Sequence, residues 1–211
     1  QSLKEFATFL LQRCYVVAVS TPSQQSAFRV FSVMNSRGLD LQPTDIVKAD
    51  VIGPISDKNK LEAYNDRWED MEVKLGRTGF NDLFAYTRMI FQKEKAKRSL
   101  LEEFPEQVIK RVGDSLYLID YVLEPYADAF AVVQNANYAA TTEAGDINRY
   151  IRWLHRIDNS DWVPPAILFL SQWQNSNQAE YIKWFFEKLE RLAAYMHISA
   201  RNVNQRIERY A

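Results

Sequence analysis

Between Gln178 and Met196, the residues Ile182, Phe185, Phe186, Leu189, Leu192, Ala193 and Met196 recur at intervals of three and four. An α-helix turns once every 3.6 residues, so this spacing puts them all on one face, and such a face must be buried. The same interval governs most of the chain. Leu61, Tyr64, Trp68, Met71 and Leu75 share a face between Asp57 and Leu75, and Phe80 to Phe91 continues as helix. Val108, Val112, Leu116, Ile119 and Val122 or Leu123 mark a long helix that Pro125 is placed to kink. Ile147 to Ile157, Val163 to Trp173 and Asn202 to Tyr210 follow, with the polar stretch Asn135 to Gly145 as the expected loop.

The fold class expected is therefore mainly α, a multi-helix bundle of about eight helices with at most one short N-terminal strand. Six Gly and seven Pro in 211 residues are too few for an all-β protein with many tight turns. Five Trp, eleven Tyr and twelve Phe suggest helices packed through large rings, and the chain is long enough to bury a sizeable core.

The N-terminal quarter is less regular. Ser2 to Leu11 reads as a short helix with Leu3, Phe6, Phe9 and Leu10 inward. Cys14 to Val19 has strand length and β-branched character, and would need a partner strand or absorption into the helical core. A helix is expected to start at Thr21-Pro22-Ser23, to bury Ala27, Val30, Phe31 and Met34, and to end at Gly38. The next starts at Pro43, with Asp45 in its first turn, and stops at Gly53-Pro54. On this reading residues 1–54 form one segment and residues 55–211 a helical bundle packed on it.

Charge and cysteine content narrow the classes. A net charge of −1 provides no bulk basic field for nucleic acid, although a local patch remains open. The lone Cys14 excludes an intramolecular disulfide, is expected to be a small buried hydrophobe, and fits a reducing cytoplasmic setting. The longest apolar runs fall short of the roughly 20 residues that span a bilayer, and no signal peptide is visible, so no membrane partner is expected. The chain opens at Gln1 and stops just after a helical pattern, which reads as a piece of a longer protein.

Few residues suit catalysis. The two histidines, His155 and His197, lie about forty residues apart, and triads and zinc sites need more. His155 with Asp158 one turn on is expected to be structural. Asp57 with Glu72-Val73-Lys74 has the carboxylate and E-x-K spacing of metal-dependent nucleases, but on a helix rather than the required strand. No metal site is expected, and no Gly-rich phosphate loop exists. Lys93, Lys95, Lys97 and Arg98 form a candidate nucleic-acid patch, and Arg201, Arg206 and Arg209 a second basic cluster; a solvated helix face explains each equally well.

One segment looks shaped by chemistry. From Phe31 to Lys48, Asn35, Arg37, Gly38, Asp45 and Lys48 gather where one helix is expected to end and another to begin. Such a junction exposes free carbonyls at one end and free N–H groups at the other, which suits a charged ligand. It also suits a plain capped corner, with Gly38 in the turn, Asn35 bonding a carbonyl and Arg37 pairing with Asp40 or Asp45.

Phe31, Asn35, Arg37, Gly38, Leu41, Asp45 and Lys48 stand in the pattern F-x-x-x-N-x-R-G-x-x-L-x-x-x-D-x-x-K, which resembles the signature of the GmrSD-type restriction endonuclease family. Looser similarity continues through Trp162-Val163-Pro164 and the aromatic helix around Phe185 and Leu189. Proteins of that family join a ParB-like N-terminal domain to a helical region, often followed by an HNH-type nuclease. The resemblance implies NTP-dependent cleavage of phage or modified DNA by the full-length protein, with an NTP and a divalent cation as its cofactors. The ParB-like motif D-G-Q-Q-R and any HNH motif are missing here. The resemblance therefore makes this chain the helical, non-catalytic part, holding no cofactor itself. Its partners would be the ParB-like domain in cis and DNA. Asn35, Arg37 and Gly38 would contact a nucleotide or phosphate, supported by Phe31, Leu41, Asp45 and Lys48. The alternative is a stand-alone helical module that binds a protein or a DNA backbone.

Overall fold

The computed structural model describes residues 3–15 and 42–211, and among them it is mainly α, with nine helices and no strand. The chain divides into two compact units, 1–41 and 42–211. In the first, α1 (Leu3–Arg13) is a helix as expected, but none of its residues is buried. Phe6 and Phe9, read from the sequence as inward, are more than half exposed. Cys14 is exposed as well, not the buried hydrophobe expected. A periodic pattern tells which residues share a face, but not what covers it. The rest of the strand expected at Cys14 to Val19, and the helix expected from Thr21 to Gly38, lie outside the described residues.

The second unit opens with α2 (Pro43–Ile52), followed by α3 (Lys58–Gln92). Helix α4 covers residues 100–112 and passes through a π-helical turn at Pro105–Ile109. Helix α5 covers residues 115–135 and contains a second such turn at Ile119–Leu123. Then come α6 (Ala144–Leu154), α7 (Val163–Trp173), α8 (Ala179–Ile198) and α9 (Val203–Tyr210). Helices α3, α5 and α7 pack on one another, α8 packs mainly on α6, and α2 rests on α3 and α4.

Glycine sets the two sharpest features. Gly76 (φ 70°, ψ 161°) alone breaks the helical dihedrals of α3, in a region open only to a residue without Cβ. The kink lets Trp68, Met71 and Leu75 before it, and Phe80, Leu83 and Phe84 after it, all enter the core. Trp68, Phe80, Phe84 and Phe104 form a connected ring cluster with centroids 4.9–5.4 Å apart. Gly113 (φ 75°) divides the single helix expected from Val108 to Leu123, and Asp114 restarts it by accepting the Tyr117 N–H at 2.6 Å. The expected kink at Pro125 takes another form. Proline has no N–H to give the preceding turn, and the wide turn at Ile119–Leu123 lies directly upstream, with Glu124 N–H donating to Ile119.

Polar clamps join the rods. Arg67 forks onto Glu124 at 2.5 and 2.6 Å and reaches Asp120 at 2.7 Å, while the Tyr64 hydroxyl donates to Asp120. The loop after α5 is held by Asn148, which accepts the Tyr138 N–H and donates to the Tyr138 carbonyl. No helix among the described residues is long and apolar enough to cross a membrane.

Candidate functional site

The described part of the polar junction is helix α2. Pro43 occupies its first turn, and Gln42 before it is extended. The Gln42 N–H donates to Asp45 Oδ2 at 2.7 Å, and Asp45 N–H donates back to the Gln42 carbonyl at 3.0 Å. The motif aspartate is thus a helix-start residue, in the position where a carboxylate meets free N–H groups. Its other contact is the Arg77 guanidinium on α3, at 3.7 Å. One turn on, Lys48 Nζ lies 3.3 Å from Glu69, also on α3. Beneath these pairs Thr44, Val47, Val51 and Ile52 are buried. Helix α2 is therefore attached to the bundle by an apolar face and two flanking ion pairs. Phe31, Asn35, Arg37, Gly38 and Leu41 lie outside the described residues.

The candidate nucleic-acid patch looks different in three dimensions. Lys93, left-handed at φ 55°, caps α3, and its ammonium donates to the Ala211 carbonyl at 2.7 Å. Lys97 pairs with Glu94 at 2.8 Å, and Arg98 pairs with Glu106. The Lys97 and Arg98 N–H groups both donate to Glu103 Oε1 at 2.9 Å. Glu103 in turn meets the buried Arg88, whose Nε–H is aimed at Gln107 Oε1 (2.9 Å), so its 2.7 Å contact with Glu103 is ionic rather than a directed hydrogen bond. The Lys97 hydrogen bond and charge hold the Glu94 carboxyl below its ordinary value, and the bond to Glu106 pushes Arg98 up. This run is a charge-balanced loop lashed to the core. Of the four patch residues, Lys95 alone has no side-chain partner among the described residues.

Most of the remaining sequence candidates are occupied by the fold. His155 Nε2 lies 2.9 Å from the Val133 carbonyl, and its ring stands edge-on to Trp162, which is the structural role expected. Lys74 pairs with Asp128 at 2.5 Å, while Asp57 caps α3 by accepting from Asn59 and Lys60. Arg206 is spent on Asp161 at 2.6 Å, both largely buried. Among the described residues, no three His, Cys, Asp or Glu side chains come together as a metal site. An apolar cavity of about 70 Å³ lies where Met89, Pro164, Leu168, Ile207 and Tyr210 meet, too small for a nucleotide. Burial and the Asp161 charge push the Tyr210 phenol well up, and its hydroxyl has no hydrogen-bond partner.

Two features escaped the sequence reading. Arg88 falls four residues after Phe84 in the buried stripe of α3, and a cation in such a stripe signals an internal partner. The outward face of α8 carries aromatic rings at the same helical interval as its inward face. Comparisons with protein families, with curated proteins and with solved structures find no match for this chain.

Proposed function

We propose that this chain is the helical, non-catalytic part of a GmrSD-like, NTP-dependent DNA restriction protein that acts in cytoplasmic phage defence. In this reading residues 31–48 complete a nucleotide or DNA site on a ParB-like domain in cis, which brings the NTP and a divalent cation. The observation that supports it is the attachment of α2. Asp45 and Lys48 are both spent on fixing that helix to α3, as the resemblance implies for them. Of the motif's polar side chains, phosphate contact then falls to Asn35 and Arg37. Arginine suits it because its planar fork holds two oxygens at once. Gly38 permits the turn, and Phe31 and Leu41 supply apolar support.

The alternative, a stand-alone module gripping a DNA backbone through Lys93, Lys95, Lys97 and Arg98, is disfavoured by the carboxylates that neutralise that loop. The test is NTP binding and hydrolysis by the protein joined to its ParB-like domain, wild type against Arg37→Ala. Loss of turnover by about ten-fold or more, about 1.4 kcal/mol of barrier, supports the reading. Unchanged affinity and turnover overturn it.

A further inference from the structure

Helix α8 has two faces. Ile182, Phe186, Leu189, Ala193 and Met196 are buried, while Tyr181, Trp184, Lys188, Arg191 and Tyr195 recur at three- and four-residue steps on the outward arc and are all exposed. Rings of this size ordinarily carry a large burial gain, yet half of Trp184 meets solvent. Tyr181 and Trp184 lie parallel, with 8° between their planes and centroids 5.5 Å apart. Phe169 and Trp173 of α7 brace Tyr181 from behind, at 5.4 and 5.0 Å. The rings are therefore a supported platform rather than loose side chains.

The two charged residues among the five on this arc, Lys188 and Arg191, are both cations, with Glu180 and Glu187 on its flank. Lys188, Arg201 and Arg209 have no ion-pair partner among the described residues, and Arg191 is two-thirds exposed although it touches Glu187 at 2.5 Å. Past Tyr195 the arc opens into a cleft of about 650 Å³ lined by Tyr195, Arg201, Gln205, Glu208 and Arg209. Glu208 is the one carboxylate lining that cleft.

We propose that this arc is a track for single-stranded nucleic acid. Bases stack on Tyr181, Trp184 and Tyr195, Lys188 and Arg191 meet the intervening phosphates, and the Arg201–Arg209 cleft receives a terminal phosphate. Exposed rings alternating with cations are the two parts such a surface needs: π-faces that accept any base, and a basic line that follows the backbone. At 1.5 Å per residue, Tyr181 to Tyr195 spans about 21 Å, enough for a short single-strand site of about four nucleotides. A duplex keeps its bases stacked on one another and offers these rings nothing. The inference does not depend on the motif reading, and it places nucleic acid on a different surface from the Lys93 to Arg98 loop.

The experiment uses the whole chain and a dye-labelled oligothymidylate of about a dozen nucleotides, read by fluorescence anisotropy across a salt series. Binding is expected to weaken linearly in the logarithm of salt. Trp184→Ala, an exposed substitution whose folding is checked by circular dichroism, should weaken it by about ten-fold. Arg201→Gln with Arg209→Gln should lower the salt slope, while Lys95→Gln with Lys97→Gln should leave affinity within about two-fold. The proposal falls if no binding is seen at low salt, if Trp184→Ala has no effect, or if a duplex competes equally well. It falls equally if sedimentation shows Trp184→Ala abolishing self-association, because the arc is then an interface between copies. Failure here leaves the Arg37 test standing, so the two readings are separable.

Discussion

The Arg88 guanidinium and the Glu103 carboxylate lie 2.7 Å apart, with 4% and 2% of their side chains exposed. From inside the core, this pair controls a surface loop. Glu103 accepts the N–H groups of Lys97 and Arg98, and Arg88 donates to the Glu94 and Lys95 carbonyls. A loop made mostly of charged residues is held in one conformation by two charges that water hardly reaches.

Removing one member strands the other. Arg88→Met or Glu103→Gln should each destabilise the protein by about 3–5 kcal/mol, measured by urea denaturation. The double replacement should cost clearly less than the sum of the two, because no uncompensated ion remains.

The same pair predicts an acid dependence. Burial pushes the Glu103 carboxyl up, but the Lys97 and Arg98 N–H bonds and the Arg88 and Arg98 charges outweigh it, leaving the group below its ordinary 4.5. A carboxylate lowered on folding adds stability that is present above its unfolded value and lost as pH falls through its folded one. Unfolding free energy should therefore decline below about pH 4.5. The decline should be shallower in Glu103→Gln, and equal slopes for the two proteins would refute the assignment.

The kink in α3 makes a contrast between glycines. Gly76 at φ 70°, ψ 161° tolerates no Cβ, so Gly76→Ala should cost about 1–3 kcal/mol although nothing lies within 4 Å of the added carbon. Gly145, in the first turn of α6 and equally open, should accept Ala with a gain of up to about 1 kcal/mol. Thermal melts of the two variants should move in opposite directions.

Helix α2 should respond unequally to its two motif residues. Asp45→Ala removes both the Gln42 N–H acceptor and the Arg77 contact, and should cost about 1 kcal/mol, with faster hydrogen exchange through Pro43–Ile52. Lys48→Ala breaks an ion pair whose Glu69 side chain is 66% exposed and should cost under about 0.5 kcal/mol. Similar losses from both would mean that α2 is held otherwise than described.

What the residues alone determine here is local. The 3.6-residue period marks α3, α6, α7 and α8 within a few residues, because a helix that sheds apolar surface must repeat at that interval. Proline and glycine chemistry marks both ends of α2. Periodicity is silent about partners, and there the tertiary structure decided. It left the apolar face of α1 exposed, joined α2 to the bundle, and split the helix expected through Val112 and Leu116 at Gly113. Above all it decided what the charges do. Lys93, Lys97 and Arg98 read as a basic run in one dimension, yet Glu94, Glu102, Glu103 and Glu106 lie around them in three. Coulomb attraction acts through space, and only the fold decides which of these nearby carboxylates each cation meets.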